Sequence, residues 1–421
     1  MRIAFHFQND AIPDADLRKP ELGNPGIGGT EFLFAALPHY LAKLKSEVAE
    51  PILYAHTTGK LPPSVEVKEA ETLKAAARKA SREGADFLVF DPKRDDEVLE
   101  ALPVLEREEL SGVAWAHNMP SVKILARLSE SESVKRLVAV GKEMLDRMRD
   151  HNIYGKSTYI YNGFDIENYK PDKVLKNGKK VVYIGSITPS KGFHILAKKW
   201  KKIEKRVPEA ELIVIGSGRL YEPNSKMGVW GIAKESYERK IRDHLQGEKG
   251  DPIDSVTFKG LMGEGKIPVM QSAAVGVVNP SGKSENCPGS AIEFQACGTP
   301  VVSRAYRGLM DTVVHGETGL LGRKSKLANN ITHLLRNEEL SKAMGKKGIE
   351  FVKDKFSYKK VCKNWIKVLK RAIVNKRVER EDEMKNAYKD LKFLREANRI
   401  LKSYTGLKSI PSVYEVTRKI K

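Results

Sequence analysis

At 421 residues, 41% hydrophobic and 30% charged, the chain describes a soluble globular protein of two ordinary domains, and no run approaches the ~18 apolar residues of a transmembrane helix. The N-terminus MRIAFHFQND lacks the apolar core of a signal peptide, and three cysteines (Cys287, Cys297, Cys362) without metal-ligand spacing point to a reducing cytoplasm. A net charge of +20 calls for anionic partners; without a zinc finger, RNA-recognition signature or basic-helix pattern, nucleic acid is not expected, and anionic small molecules or an anionic membrane surface fit better.

Residues 1–7 read as a buried strand, and a polar loop leads into Asn24-Pro-Gly-Ile-Gly-Gly-Thr-Glu31. From there Phe32, Leu33, Ala36, Leu37, Tyr40 and Leu41 recur at helical spacing. Gly28 and Gly29 therefore stand where a loop becomes a helix, a place that admits either a phosphate or a simple tight turn. Strand patterns over 52–57, 87–91, 113–117, 136–141 and 158–161 alternate with helical ones over 70–82, 121–128 and 142–151. Such alternation implies a mainly parallel sheet with its ligands at the C-terminal strand ends. His117 falls at one of these ends, before a proline-bearing loop. Residues 171–180, PDKVLKNGKK, have no apolar pattern and read as a linker.

The alternation then restarts. Strands are expected over 181–185, 212–215, 256–260, 274–279 and 301–303, with a last short one at 316–321. Helices are expected over 191–207 and 266–272. Gly185-Ser186 and Gly216-Ser217-Gly218 close two of the strands. The polar insertion 222–250 predicts a flexible loop near its start. Residues 280–302 carry the most chemistry: Glu285 lies in a loop rich in Ser, Asn, Pro and Gly, and Glu293 in the apolar helical segment AIEFQAC. A carboxylate flanked by Ile292, Phe294, Ala296 and Cys297 is poorly explained as a helix-surface residue. Gly289 and Ser290 supply the amides at that helix start. Helical patterns follow over 327–335, 338–355 and 358–374. In the basic tail beyond, Ala387, Leu391, Leu394, Ala397 and Leu401 mark an amphipathic helix, whose apolar face is expected to pack on the body, with a membrane-surface or partner contact as the alternative. Asp14-Ala-Asp16 has the form of a short metal-binding acidic signature, but no metal site is expected.

Glu285 and Glu293, spaced E-x7-E, with Pro280-Ser281 before them and Ala296-Cys-Gly-Thr-Pro-Val301 after, resemble the signature of GT-B-fold glycosyltransferases, and more closely that of the family-four retaining enzymes. Gly28-Gly29-Thr30-Glu31, Asn162-Gly163-Phe164-Asp165, Ile184-Gly185 and Lys191-Gly192 agree with it, and the resemblance runs from Met1 to about Val374. It implies two Rossmann-like domains with parallel sheets facing across a cleft, plus a helical C-terminal tail. The expected divisions are an acceptor-side domain 1–171, a nucleotide-sugar donor domain 172–355, and C-terminal helices 356–421 that first cross back to the N-terminal domain.

The resemblance further implies that Glu293 takes the ribose hydroxyls and that Glu285 lies beside the donor sugar. Lys191 would neutralise the diphosphate, the Gly28–Gly29 and Gly289–Ser290 amides would hold it, and His117 would hold the sugar; Gly185, Ser186 and Gly216 belong to the nucleotide side. Its expected substrates are a nucleotide sugar, UDP-linked before GDP-linked, and a glycan or lipid-linked acceptor, with no cofactor. One position departs from the family pattern: Ser186 stands where an arginine usually follows the strand-end glycine, and Lys283 and Arg219 are candidates to replace that cation. A non-catalytic binding protein on the same fold is the alternative.

Overall fold

The computed structural model describes residues 1–171, 178–219, 225–379, 391–407 and 409–419. They form two compact units, Met1–Gly163 with Tyr358–Lys421, and Phe164–Ser357.

The first unit runs β1 (Arg2–Phe7), α1 (Gly29–Lys45), β2 (Glu50–Ala55), β3 (Glu66–Glu69), α2 (Leu73–Arg82), β4 (Phe87–Phe90), α3 (Asp95–Arg107), β5 (Ser111–Ala116), α4 (Val122–Glu130), β6 (Val134–Ala139), α5 (Lys142–Asp146) and β7 (Ser157–Tyr159). The strands make one seven-stranded sheet, β3-β2-β1-β4-β5-β6-β7, with every neighbouring pair parallel. Its central strands are nearly continuous apolar runs because helices cover both faces. Thr72 and Ser121 cap α2 and α4, each hydroxyl accepting an N–H from the first turn.

The second unit runs β8 (Lys180–Ile184), α6 (Phe193–Arg206), β9 (Glu211–Ile215), α7 (Glu235–Leu245), β10 (Val256–Gly260), α8 (Lys266–Gln271), β11 (Val275–Val277), α9 (Gly289–Ala296), β12 (Val301–Arg304), α10 (Leu309–Thr312), β13 (Gly319–Gly322), α11 (Leu327–Arg336) and α12 (Glu338–Phe356). Its parallel sheet is ordered β10-β9-β8-β11-β12-β13. Trp200, Phe193, Tyr183, Val181, Val275 and Val277 belong to its core. Each unit is thus a doubly wound α/β domain, and the chain has the GT-B fold.

β3, α3, α7 and the short α10 went unread in the sequence. α7 lies inside the polar insertion and buries Tyr237, Ile241 and Leu245 together with the carboxylate of Glu238, a one-sided pattern of only three apolar residues. β3 (EVKE) is an edge strand with no apolar run. The expected loop at the insertion's start and much of the expected linker, residues 220–224 and 172–177, lie outside the described residues. The second unit begins at Phe164 and not beyond the linker, because the Phe164 N–H donates to Phe356 O (2.8 Å) and Phe164 bridges Ser357.

The remaining helices, α13 (Tyr358–Ile373), α14 (Lys392–Thr405) and α15 (Val413–Lys419), belong to the first unit. Tyr358 stacks on Tyr40 of α1 with ring centroids 3.6 Å apart, and Trp365 meets Trp115 of β5 edge-on at 5.2 Å. α14 corrects the expectation that its apolar face packs on the body. It docks through polar groups: Arg395 Nη1 lies 3.6 Å from Asp146 Oδ2, Asn398 donates to Asp150 Oδ2 (2.8 Å), and Lys402 donates to Asp150 O (2.7 Å). Leu394, Ala397 and Leu401 are exposed, and Ala387 lies outside the described residues.

Candidate functional site

In the second unit the sheet order reverses direction between β8 and β11, the place where a doubly wound sheet opens a crevice at its C-terminal edge. Gly185, Ser186 and Lys191 follow β8, Gly216 follows β9, and the loop carrying Glu285 follows β11. The fold therefore gathers these sequence-selected residues on one edge. Two glycines there have a steric reason to be glycine. A Cβ on Gly216 would stand 2.0 Å from Gly185 O, and one on Gly192 would stand 2.7 Å from Ser281 N, at a φ of 75°. Gly192 thus lets the Lys191 turn lie against the loop after β11.

That contact sets the central ion pair. Lys191 Nζ lies 2.6 Å from Glu285 Oε1, both side chains being largely buried. Asn279 donates to the same carboxylate oxygen (2.8 Å) and to Lys283 O (2.6 Å). Asn279 and Ser284 both hold positive φ, 36° and 61°, so the loop carries backbone strain that these hydrogen bonds offset. Arg304 Nη1 donates to Ser281 O (2.6 Å) and closes the loop from the β12 side.

Glu293 projects from α9 to a second cluster. Its Oε1 accepts from Lys266 Nζ (2.6 Å) and from Tyr169 OH (3.2 Å), while Lys266 lies 5.9 Å over the Tyr169 ring. Burial and then the Glu293 carboxylate push the Tyr169 hydroxyl well above its usual range, so it stays a donor. Gly289 and Ser290 open α9, where the first helical N–H groups have no intrahelical acceptor. A Cβ at Gly289 would meet nothing within 4 Å, so packing does not account for that glycine.

Ser186 is buried, and its hydroxyl has no hydrogen-bond partner among the described residues. Lys283 and Arg219, the cations weighed as substitutes for the missing arginine, are both exposed. The further cations built into this edge are Arg304 and Lys266, which sequence reasoning missed along with Tyr169 and the bracing role of Asn279. A lysine opening the short helix after β10 was the available signal for Lys266, but its partner is 27 residues away.

His117, Gly28 and Gly29 lie in the first unit. His117 packs among Trp115 and Phe34 with ring centroids 4.3 and 5.7 Å away, and burial lowers it to about 3, so it is neutral at ordinary pH. Gly28 caps α1, and the Asn24 side chain staples the loop before it by accepting from the Gly26 and Ile27 N–H groups (2.8 and 2.9 Å). Next to β4 and β5, again at C-terminal strand ends, is a cavity of about 310 Å³ lined by Asp91, Lys93, Asp95 and Asn118, with Tyr414 and Arg418 of α15. Desolvation pushes the Asp91 carboxyl up to about 7 against the pull of Lys93. The Asp14–Asp16 segment is engaged by cations: Arg18 holds Asp16 (2.9 and 2.6 Å), and Lys60 lies 3.9 Å from Asp14.

Residues 165–351 match the family described as Glycosyl transferases group 1. An uncharacterised glycosyltransferase of Methanocaldococcus jannaschii is 27% identical over 228 residues, covering 53% of this chain and 56% of the relative. A GDP-mannose-dependent alpha-(1-6)-phosphatidylinositol monomannoside mannosyltransferase of Mycobacterium tuberculosis is 25% identical over 262 residues, covering 57% of this chain and 62% of the relative. The chain thus spans little more than half the length of these curated relatives. Among solved structures, Anabaena HepE in complex with UDP and glucose superposes with a TM-score of 0.61 at 17% identity, over 88% of this chain and 99% of that one.

Proposed function

We propose that this chain, a GT-B protein whose second unit belongs to the group 1 glycosyl transferases, is a retaining, metal-independent hexosyltransferase. Its donor is a nucleotide sugar, UDP-linked in the favoured reading and GDP-linked in the other. Its acceptor is a glycan or lipid-linked glycan of surface polysaccharide or lipopolysaccharide synthesis, met at an anionic membrane surface on the cytoplasmic side. One observation carries the reading: two buried carboxylates flank the start of α9, each on its own lysine, Glu285 on Lys191 and Glu293 on Lys266. The Mycobacterium relative is GDP-mannose-dependent and the HepE structure holds UDP and glucose, which supports a nucleotide sugar and leaves both bases in play.

The reaction breaks the bond between the anomeric carbon and a diphosphate oxygen. Negative charge grows on the diphosphate and positive charge on the sugar ring. Lys191 and the Gly289–Ser290 amides meet the first; Glu285 meets the second. Glu293 accepts from the two ribose hydroxyls, as a carboxylate can. The buried Ser186 hydroxyl, with Gly185 and Gly216 beside it, takes a place on the diphosphate side where the family pattern has an arginine. The family resemblance also assigns neutral His117 to the donor sugar and the Gly28–Gly29 amides to the diphosphate. Retention follows from front-face attack: the acceptor oxygen bonds the anomeric carbon on the face the diphosphate leaves, and its proton passes to a diphosphate oxygen. The cavity with Asp91, Asp95 and Asn118 offers hydrogen-bonding groups suited to acceptor hydroxyls.

Calorimetric titration with UDP and with GDP tests the donor site, and a panel of their sugars scored for hydrolysis and transfer tests the chemistry. Binding of neither nucleoside diphosphate would sink the reading. Anomer assignment of the product tests retention, and activity in a chelator tests metal independence. Ser186, a hydroxyl where a cation was expected, favours a second reading, a non-catalytic nucleotide-sugar-binding scaffold. Nucleotide binding without any hydrolysis of any sugar would select it.

A further inference from the structure

We infer that α14 is the surface by which this protein lies on an anionic lipid bilayer. The inference deepens the membrane part of the reading above, and binding to bare vesicles is separable from binding of a nucleotide.

α14 is inverted relative to an ordinary surface helix. Packing normally buries the apolar stripe and leaves the charges in water. Here Arg395 is 5% exposed and set against Asp146, while Asn398 and Lys402 are spent on Asp150. The opposite side carries Phe393, Leu394, Ala397, Ile400, Leu401 and Tyr404, which at helical spacing form one stripe along the helix. Phe393 is 81% exposed and Tyr404 93%. Exposure of so much contiguous apolar surface on one helix marks an interaction face.

Charge selects the occupant. Residues 391–419 hold seven Lys and Arg and two Asp and Glu. The acid within α14, Glu396, is already held by Arg149 (3.2 Å) and by Arg399. On the side away from Leu394 and Leu401, Lys392 and Arg399 lie just beyond Glu396 and Ser403, and the Glu396 charge is taken up by its two arginines. An apolar stripe one helix wide, carrying Phe and Tyr with cations along one flank, suits the boundary between anionic headgroups and acyl chains. The polar docking face leaves the helix fixed to its own unit with that stripe outward.

The test is flotation of the full chain with vesicles of phosphatidylcholine alone and of equimolar phosphatidylcholine and phosphatidylglycerol, without nucleotide. The expected result is binding to the anionic vesicles at least about tenfold above the neutral ones, lost in high salt and in the double variant Phe393→Asp, Ile400→Asp. A second variant, Phe393→Trp, keeps the apolar stripe; its fluorescence should show an added blue-shifted component over the wild-type tryptophans when anionic vesicles are added. Wild-type-level binding by the aspartate variant, or no blue-shifted component, overturns the inference. So does a wild-type chain that ignores both vesicles but self-associates through α14, with the aspartate variant monomeric, because the stripe would then cover a second copy.

Discussion

Lys191 and Glu285 are 94 residues apart in sequence and 2.6 Å apart in space, joined because Gly192 lets one strand-end turn rest on another. Breaking such a pair from either side exposes a different half of the chemistry. Glu285→Gln removes the charge that faces the sugar but releases Lys191 to a diphosphate. UDP affinity should hold or rise while turnover falls by about a hundredfold. Lys191→Ala should lower both affinity and turnover. Calorimetry beside a transfer assay separates the two, and a parallel loss of binding in Glu285→Gln would contradict the assigned roles.

Glu293 and Lys266 make a second pair, with Tyr169 as a third member. Glu293→Ala should weaken nucleoside diphosphate binding by about tenfold to a hundredfold, the scale of hydrogen bonds to a charged acceptor. If Lys266 acts by holding Glu293, then Lys266→Ala should weaken binding in the wild type and add little in the Glu293→Ala background. A double-mutant cycle on the measured Kd reads that coupling directly. Additive losses would mean that the lysine touches the ligand by itself.

The contrast between these two pairs shows what the sequence made legible. Glu285 and Glu293 stood out because a loop acid and an acid in AIEFQAC have no packing role to explain them. Their lysines divided: Lys191 sits in a turn after a readable strand, whereas Lys266 opens a six-residue helix and finds its partner only through the fold. Alternation of strand and helix carried the fold class, but it passed over α3, which buries five apolar residues, as well as α7 and β3, where burial is one-sided or slight. The tail misled for a subtler reason. Its periodicity correctly gave an amphipathic helix, but periodicity cannot say which face turns inward, and Asp146 and Asp150 decide that from elsewhere in the chain.

Stability should fall below neutral pH in a way traceable to two buried histidines. Burial lowers His6 to about 4 and His117 to about 3. In the unfolded chain both bind protons near the ordinary value of about 6.5. Their contribution is present above that value and is lost as pH falls toward the folded values, by at most about 1.4 kcal/mol per pH unit for each. Asp91 opposes them: raised to about 7, it binds its proton first in the folded state, and its contribution grows as pH falls from 7 toward 4. His6→Phe should therefore flatten the acid limb of the stability profile, and Asp91→Asn should steepen it. Denaturant melts across about pH 5 to 7.5 check both signs.

Two glycines of the second unit should respond oppositely to alanine. At Gly216 the added Cβ would strike Gly185 O at 2.0 Å, at a φ of 142°. Neither backbone can yield without disturbing the ends of β8 and β9, so Gly216→Ala should destabilise by roughly 3 kcal/mol, from the combined clash and dihedral strain. At Gly289 the methyl meets nothing within 4 Å, and alanine suits the first turn of α9 better than glycine does. Gly289→Ala should leave Tm unchanged or raise it slightly. If the α9 amides hold a diphosphate, the same methyl intrudes where the phosphate must approach, and UDP affinity should drop by about tenfold. Thermal melts with and without UDP read both effects in one experiment. Unchanged affinity in Gly289→Ala would remove the helix start from the donor site while leaving the Lys191–Glu285 assignment standing.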